Sequence, residues 1–396
     1  MTVAGSISLA ELQQLEARWV MQTYARAPVQ LVRGEGARVW DSEGGEYLDF
    51  LAGISVCSVG HCHPAVVEAV REQVGTLTHT SNLYLTEGGV LLAQRLAGSS
   101  LEGKAFLCNS GTEANECAIK LVRKHAHGRG VAEPEIVVLE DAFHGRTMGS
   151  LSGTPGLATN ESFAPYLPGF RAVPREDPDA LRAAVGESTA AVMLEPIQGE
   201  TGVHVIPDEV IAAARQACDD AGALLLFDEI QTGMGRTGSL WAYEQLPVRP
   251  DLMTTAKALG GGLPVGACVT SPGAGDVLER GDHGSTFAGG PLIAAAALAA
   301  FGVIDDPELL RGVRDLGGRF REGLESIDAV GEVRGRGLML GAQLQGVEAG
   351  DTASRLLAEG LIVNPIGQDT LRFLPPLNIE EAAADEALAI LGRVLT

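Results

Sequence analysis

Residues 224–238 read LLLFDEIQTGMGRTG, and the reading of this stretch decides the fold. Its opening run of Leu, Leu, Leu and Phe is short and wholly apolar, as expected of a strand buried in a sheet with helices on both faces. Gly233, Gly235 and Gly238 then spell G-x-G-x-x-G, the start of a dinucleotide turn, while Asp228 and Glu229 close the strand with a pair of acids. A dinucleotide turn needs its glycines tight against the strand end and at a helix start. Here Asp-Glu-Ile-Gln-Thr intervenes and GRTGSLWAYE opens a helix poorly, which leaves an NAD-dependent dehydrogenase as the outside alternative. Asp228 is the more informative group, because a buried carboxylate requires a partner, and a cationic one is expected.

Outward from this stretch the same alternation of apolar run, turn and helix recurs from His63 onward. Strands are expected at residues 105–108, 136–139, 190–194 and 224–227, with helices at 113–125 and 208–221 between them. The pattern predicts an α/β fold with a mostly parallel sheet, whose ligands sit at the carboxyl ends of the strands. An amphipathic helix is expected over residues 9–24 and short hairpins over 29–50. After helices at 291–303 and 308–324, VGEVRGRGLMLGAQL reads as antiparallel strands around glycines, and a last helix covers 380–395. The expected organisation is an N-terminal segment, residues 1–50, joining a small α+β domain at 305–396, with a large domain at 51–304 between them.

At 396 residues and 45% hydrophobic, the chain can bury a large core. Its 29 Lys and Arg against 51 Asp and Glu give a net charge of −22 with no basic run, which excludes nucleic acid as an expected partner. The start carries no positive residue before an apolar core, unlike a secretion signal, and the longest apolar run, LIAAAALAAFGVI, falls short of the roughly 20 residues that span a bilayer. Six scattered cysteines without a C-x-x-C pair fit reduced thiols, so a soluble cytoplasmic protein with no membrane partner is expected.

Three features could carry chemistry. In CNSGTEANECAIK, Ser110, Gly111 and Thr112 lead from a strand end into a helix, where free N–H groups, hydroxyls and the positive helix end can seat a phosphate, or simply cap the helix. Among only four lysines, Lys257 alone lies in an apolar, glycine-flanked setting, TTAKALGGGLPVGA, although such a lysine is more often a snorkelling surface residue. With Asp228 these supply the phosphate seat, pyridinium partner and Schiff-base amine that pyridoxal 5'-phosphate needs. His61-Cys62-His63 invites a metal reading, but no second ligand cluster accompanies it and none is expected.

On these residues the chain resembles the class III, or omega-amino, pyridoxal-phosphate aminotransferases. The blocks SGTEANECAIKLVR, AFHGRT, EPIQGETG, LLLFDEIQTGMGRTG, TTAKALGGGLPVGA, HGSTFAGGP and LRFLPPL follow the family's order from about residue 29 to the end. The resemblance implies the PLP-dependent transferase fold type I and a homodimer with its sites at the interface. It further implies that Lys257 is the Schiff-base and proton-shuttling amine, and that Asp228 keeps the ring nitrogen protonated. Ser110, Gly111 and Thr112 would hold the phosphate together with Thr286 from the partner subunit, Phe143 would stack on the ring, and Gln231 would meet its 3-hydroxyl. By the same resemblance Arg146 seats the far carboxylate of either substrate and Arg372 the α-carboxylate of glutamate, with Glu200 pairing Arg372 when no carboxylate is there. Ser285 and Tyr84 would border the substrate. The implied reaction is ping-pong transfer of an amine from N2-acetylornithine to 2-oxoglutarate in arginine biosynthesis. Ornithine, succinyl-diaminopimelate and 4-aminobutyrate are alternative donors. GISVCSVGHCHP lacks the aromatic residue of ornithine-specific relatives, which favours the acetylated donor; Gly290 and Thr201 depart from the usual Asn and Gly without touching an expected catalytic atom.

Overall fold

The computed structural model describes residues 7–395. Residues 1–6, the first part of the chain start read above against a secretion signal, and residue 396 lie outside the described residues. Seven strands form the central sheet: β1 (Ala105–Cys108), β2 (Glu135–Leu139), β3 (Phe170–Val173), β4 (Thr189–Leu194), β5 (Leu224–Asp228), β6 (Leu252–Thr255) and β7 (Gly266–Thr270). Their spatial order is β1-β7-β6-β5-β4-β2-β3. β7 pairs antiparallel with both neighbours, and the remaining pairs are parallel. The mostly parallel sheet expected from the sequence is thus present, with one reversed strand. Alternate residues of the same strands feed two cores, as the twofold period of a strand requires. Val137, Leu139, Val192, Leu194, Leu225 and Phe227 enter one; Ile136, Val138, Ala191, Met193 and Leu226 enter the other.

Because β1, β2, β4, β5 and β6 run the same way, their carboxyl ends share one edge of the sheet. β7 begins at that edge, where Gly266 pairs with Cys108. Helix α1 (Gly111–Gly128) starts there too, and its buried Ala114, Cys117, Ala118, Leu121 and Val122 follow helical spacing onto the sheet.

The stretch after β5 is a loop. Gly235 and Gly238 hold positive φ of 85° and 92°, and the next element is only a short 3₁₀ turn, Ala242–Gln245, so the glycine triplet opens no dinucleotide-binding helix. Glu229 points away from the sheet edge to cap that turn, accepting Ala242 N–H at 2.7 Å and Tyr243 N–H at 2.9 Å. Burial pushes its pKa up to about 7 against the pull of those two bonds. Arg236 is buried, and no carboxylate among the described residues pairs with it. Its Nη1 donates to Leu338 O at 3.0 Å and Pro375 O at 2.5 Å, and its Nη2 to Ser58 Oγ at 2.7 Å. Burial lowers its pKa to about 9.

Strands Leu31–Glu35, Arg38–Asp41 and Glu46–Asp49 make antiparallel pairs and meet Leu361–Ile362, where Leu361 lies beside Leu48. A second antiparallel sheet orders Val330–Arg336, Met339–Leu344, Thr370–Phe373 and Asn364–Ile366. The helix expected over residues 9–24 stops at Trp19, because Val20 is extended and its N–H closes back on Glu16 O. His61 bonds Asp49 at 2.7 Å, which with Cys57 raises its pKa to about 10, and His63 accepts Ala65 N–H at the start of helix Pro64–Val74. No described helix is long and apolar enough to cross a membrane.

Candidate active site

A cavity of about 480 Å³ opens where the strands end. Ser110, Gly111, Thr112, Phe143, Arg146, Glu200, Asp228, Gln231 and Lys257 all line it, although they come from five separate stretches of sequence. At one end Ser110 caps α1, accepting Glu113 N–H at 3.3 Å, while the Glu113 carboxylate returns to Asn109 N–H at 2.7 Å. Capping and an anion seat coexist here, since the N–H groups of Gly111 and Thr112 still lead the helix. The space is tight. A Cβ on Gly111 would stand 2.6 Å from Ile230 Cδ1, and one on Gly145 would collide with the Thr112 hydroxyl. Thr112 Oγ1 and Thr147 Oγ1 are hydrogen-bonded at 2.9 Å.

At the other end Asp228 is only 3% exposed. Its Oδ2 accepts Asn115 Nδ2 at 2.8 Å and lies 2.8 Å from His144 Nδ1, and its Oδ1 accepts Ile230 N–H at 3.1 Å. The cationic partner expected from the sequence is therefore, among this chain's own groups, an imidazole, charged only when protonated, helped by an amide. His144 Nε2 is buried without a partner among the described residues. Glu195, following β4, adds a second buried acid and accepts Phe143 N–H at 2.9 Å. Burial, and then the Asp228 charge, hold its pKa well above the usual carboxylate range. Sequence reasoning missed Glu195, His144 and Asn115, although each sits inside a quoted block.

Lys257 follows β6 with φ of 47°, a left-handed conformation that a lysine adopts only when its surroundings enforce it. Burial lowers its pKa; Glu200 opposes this, Arg372 reinforces it, and Asp228 and Glu195 oppose it weakly. A larger neutral fraction, and hence a better nucleophile, results.

The two arginines differ. Arg146 is exposed, stacks with its guanidinium carbon 5.6 Å from the Phe143 ring centroid, and has no carboxylate partner among the described residues. Arg372 is buried, and its Nη1 donates to Glu200 Oε1 at 2.7 Å. Burial alone would raise the pKa of Glu200, but Arg372 and then Lys257 outweigh it and hold the pKa down. Gln231 joins the pair, donating to Glu200 Oε1 at 2.9 Å and lying 3.3 Å from Arg372 Nη1 through its own oxygen.

Three expected residues stand outside this cavity within one chain. Ser285 and Thr286 line a small separate hollow with Asn82, and Tyr84 lines another. Ser285 is nonetheless tied to the cavity wall, its Oγ accepting Asn109 Nδ2 at 2.8 Å.

The aminotransferase class-III family model matches residues 20–395. The chain is a class-III aminotransferase. Among relatives of this aminotransferase, the acetylornithine aminotransferase of Caldanaerobacter subterraneus is 47% identical over 386 residues, covering 96% of this chain and 98% of that protein. The N-acetylornithine aminotransferase of Stenotrophomonas maltophilia superposes with a TM-score of 0.83 at 39% identity, covering 96% of this chain and 97% of that one. An ornithine aminotransferase of Toxoplasma gondii, described with PLP at its active site, superposes with a TM-score of 0.92 at 34% identity, covering 98% and 94%. The fold is that of the PLP-dependent transferases, and the cofactor of this class-III aminotransferase is pyridoxal 5'-phosphate. The donor set fits that group: an anchored acid at one end, an amine of lowered pKa, and at the far end a helix start whose glycines leave no room for side chains.

Proposed function

We propose that the chain transfers the terminal amine of N2-acetyl-L-ornithine to 2-oxoglutarate, giving N-acetyl-L-glutamate 5-semialdehyde and L-glutamate in arginine biosynthesis. The observation that carries this is the unequal pair of arginines around one amine: Arg146 without a carboxylate partner among the described residues, Arg372 already holding Glu200. One substrate brings a single carboxylate far from its reacting amine and the other brings two, so one clamp must be permanent and the other conditional.

Bound pyridoxal phosphate supplies an electron sink for the carbon beside the substrate amine. Lys257 Nζ would hold the cofactor and would carry the proton between carbon atoms. Asp228, fixed from behind by His144 and Asn115, keeps a proton on the ring nitrogen. Ser110, Gly111 and Thr112 hold the phosphate, Phe143 covers the ring, and Gln231 serves the 3-hydroxyl. Arg146 takes the α-carboxylate of acetylornithine or the side-chain carboxylate of glutamate. Glu200 neutralises Arg372 while the uncharged part of acetylornithine lies against it and yields it to the glutamate α-carboxylate.

Two chains complete the site in this reading. Thr286 reaches the partner's phosphate seat, and Tyr84 and Ser285 border the substrate. Support comes from Leu83 and Leu85, 86% and 93% exposed beside Tyr84, and from Phe287 next to Thr286, apolar side chains that a second copy would cover. The division into residues 1–50, 51–304 and 305–396 belongs to the same reading, supported by the pairing of Leu48 with Leu361. So does a cytoplasmic location, which six unpaired cysteines suit.

The test is kcat/KM for acetylornithine, ornithine, succinyl-diaminopimelate and 4-aminobutyrate, each with 2-oxoglutarate. Acetylornithine is expected to lead by at least about tenfold, the worth of one well-placed charged contact. A higher value for any other donor overturns the assignment.

A further inference from the structure

The geometry points to Asn364 as the positioning residue that keeps the Arg372 guanidinium aimed at a substrate carboxylate after Glu200 has left it. This rests on the reading of Arg372 as the glutamate clamp. A guanidinium has five N–H groups in a fixed plane, and what each is bonded to determines which remain for a ligand. Nη1 donates to Gly199 O at 2.9 Å, to Glu200 Oε1 at 2.7 Å and, at 3.3 Å, to Gln231 Oε1, and Nη2 donates to Asn364 Oδ1 at 2.6 Å. Nε is buried without a partner among the described residues.

When Glu200 withdraws, Gly199 O and the Gln231 amide oxygen still hold Nη1, one corner of the plane. Anchors on one nitrogen alone let a planar group pivot, whereas an anchor on the other nitrogen fixes its direction. Asn364 is that anchor, and it is placed by register: in the antiparallel pair of Asn364–Ile366 with Thr370–Phe373 it stands directly opposite Arg372, so both side chains leave the same face. The Nη1 position that Glu200 vacates and the second N–H of Nη2 are then the donors offered to a carboxylate, which an arginine can take bidentately.

The residue type matters as much as the place. An acid at 364 would offset the charge of Arg372 permanently and compete with the substrate. An aliphatic residue would leave Nη2 unbonded at a site where the arginine side chain is only 2% exposed. The amide oxygen accepts without neutralising, so Glu200 remains the only removable negative charge at this arginine. Asn364 thereby helps set the preference for a dicarboxylate in the second half-reaction.

The test measures both half-reactions in Asn364→Leu holoenzyme, with Asn364→Ala as a second variant should leucine prevent folding. The ratio of the KM for 2-oxoglutarate to the KM for acetylornithine is expected to rise about tenfold, with a smaller change in kcat. In an Arg372→Ala background the same substitution is expected to leave that ratio where Arg372→Ala alone puts it. A ratio that does not move, a parallel rise in both KM values, or a shift that persists without Arg372 overturns the proposal. Arg372→Ala enzyme with an unaltered KM for 2-oxoglutarate overturns the clamp reading beneath it.

Discussion

The back of the cavity and its rim are made of opposite materials. At the back, Asp228, His144, Asn115 and Glu195 are at most 5% exposed, and Asp228 and Glu195 accept hydrogen bonds from this same chain. At the rim Arg146 has no acid partner among the described residues, and outside it Tyr84 is 73% exposed and Phe287 64% exposed. Polar groups leave water only when paired, whereas apolar ones are left in it only at a cost of about 25 cal/mol per Å². The difference teaches that the polar partners of the back wall come from one polypeptide, while the apolar side chains near the rim are those that the proposed second copy would cover.

The sharpest attack on the back wall is Lys257→Ala. Turnover is expected to fall by at least about 10⁴-fold with bound cofactor retained, since amine and proton carrier are lost together. A stopped-flow assay of the purified variant checks this, and residual turnover near wild type would move the chemistry elsewhere. The rim is attacked by mixing. Lys257→Ala and Thr286→Ala chains, each impaired alone, are expected to form hybrid dimers in which one site has both wild-type groups, restoring about half of the activity per dimer that the intact homodimer shows. If Thr286 served its own chain, the mixture would only average the two variants.

The smallest effect concerns the neighbour of Asp228. Glu229 has its pKa raised from 4.5 to about 7 by burial. A carboxyl whose folded pKa is raised contributes stability that is complete below its unfolded pKa and lost as pH rises through the folded one. Denaturant midpoints should therefore carry a component that declines between about pH 4.5 and 7, and that component should vanish in Glu229→Gln, which is also expected to be destabilised by about 1 kcal/mol because the amide cannot accept from both Ala242 and Tyr243.

These adjacent acids also show how far the sequence could be read. That strand 224–228 ends in a buried carboxylate was legible from its apolar run and position. Asp228, the acid singled out from the sequence, lines the cavity, while the separate role of Glu229 as a cap on Ala242 and Tyr243 became visible only in the structure. The strands at 105–108, 136–139 and 190–194 were legible for the same reason, whereas those at Phe170–Val173, Leu252–Thr255 and Gly266–Thr270 were not read from the sequence. Nor was the reversal of β7, because a run such as GACVT carries no direction. His144 and Asn115 escaped because their role is tertiary: each meets Asp228 across a long sequence separation, and neither residue type is unusual where it stands. The helix expected to reach residue 24 ends at Trp19 although Val20, Met21 and Tyr24 continue its apolar pattern; Met21 is 85% exposed, so those side chains answer to something other than helix packing. Thr286 and Tyr84, placed at the site by resemblance, line separate hollows of the single chain.

Arg236 joins parts of the polypeptide far apart in sequence. Its three acceptors belong to Ser58, Leu338 and Pro375, so one cation fastens the early and late thirds of the chain to the loop behind the catalytic strand. A protease nick that released the C-terminal portion would strip two of those oxygens from a charge unable to reach water. Truncated pieces should then collapse rather than persist as trimmed, compact remnants, and melting should proceed as one transition rather than lobe by lobe.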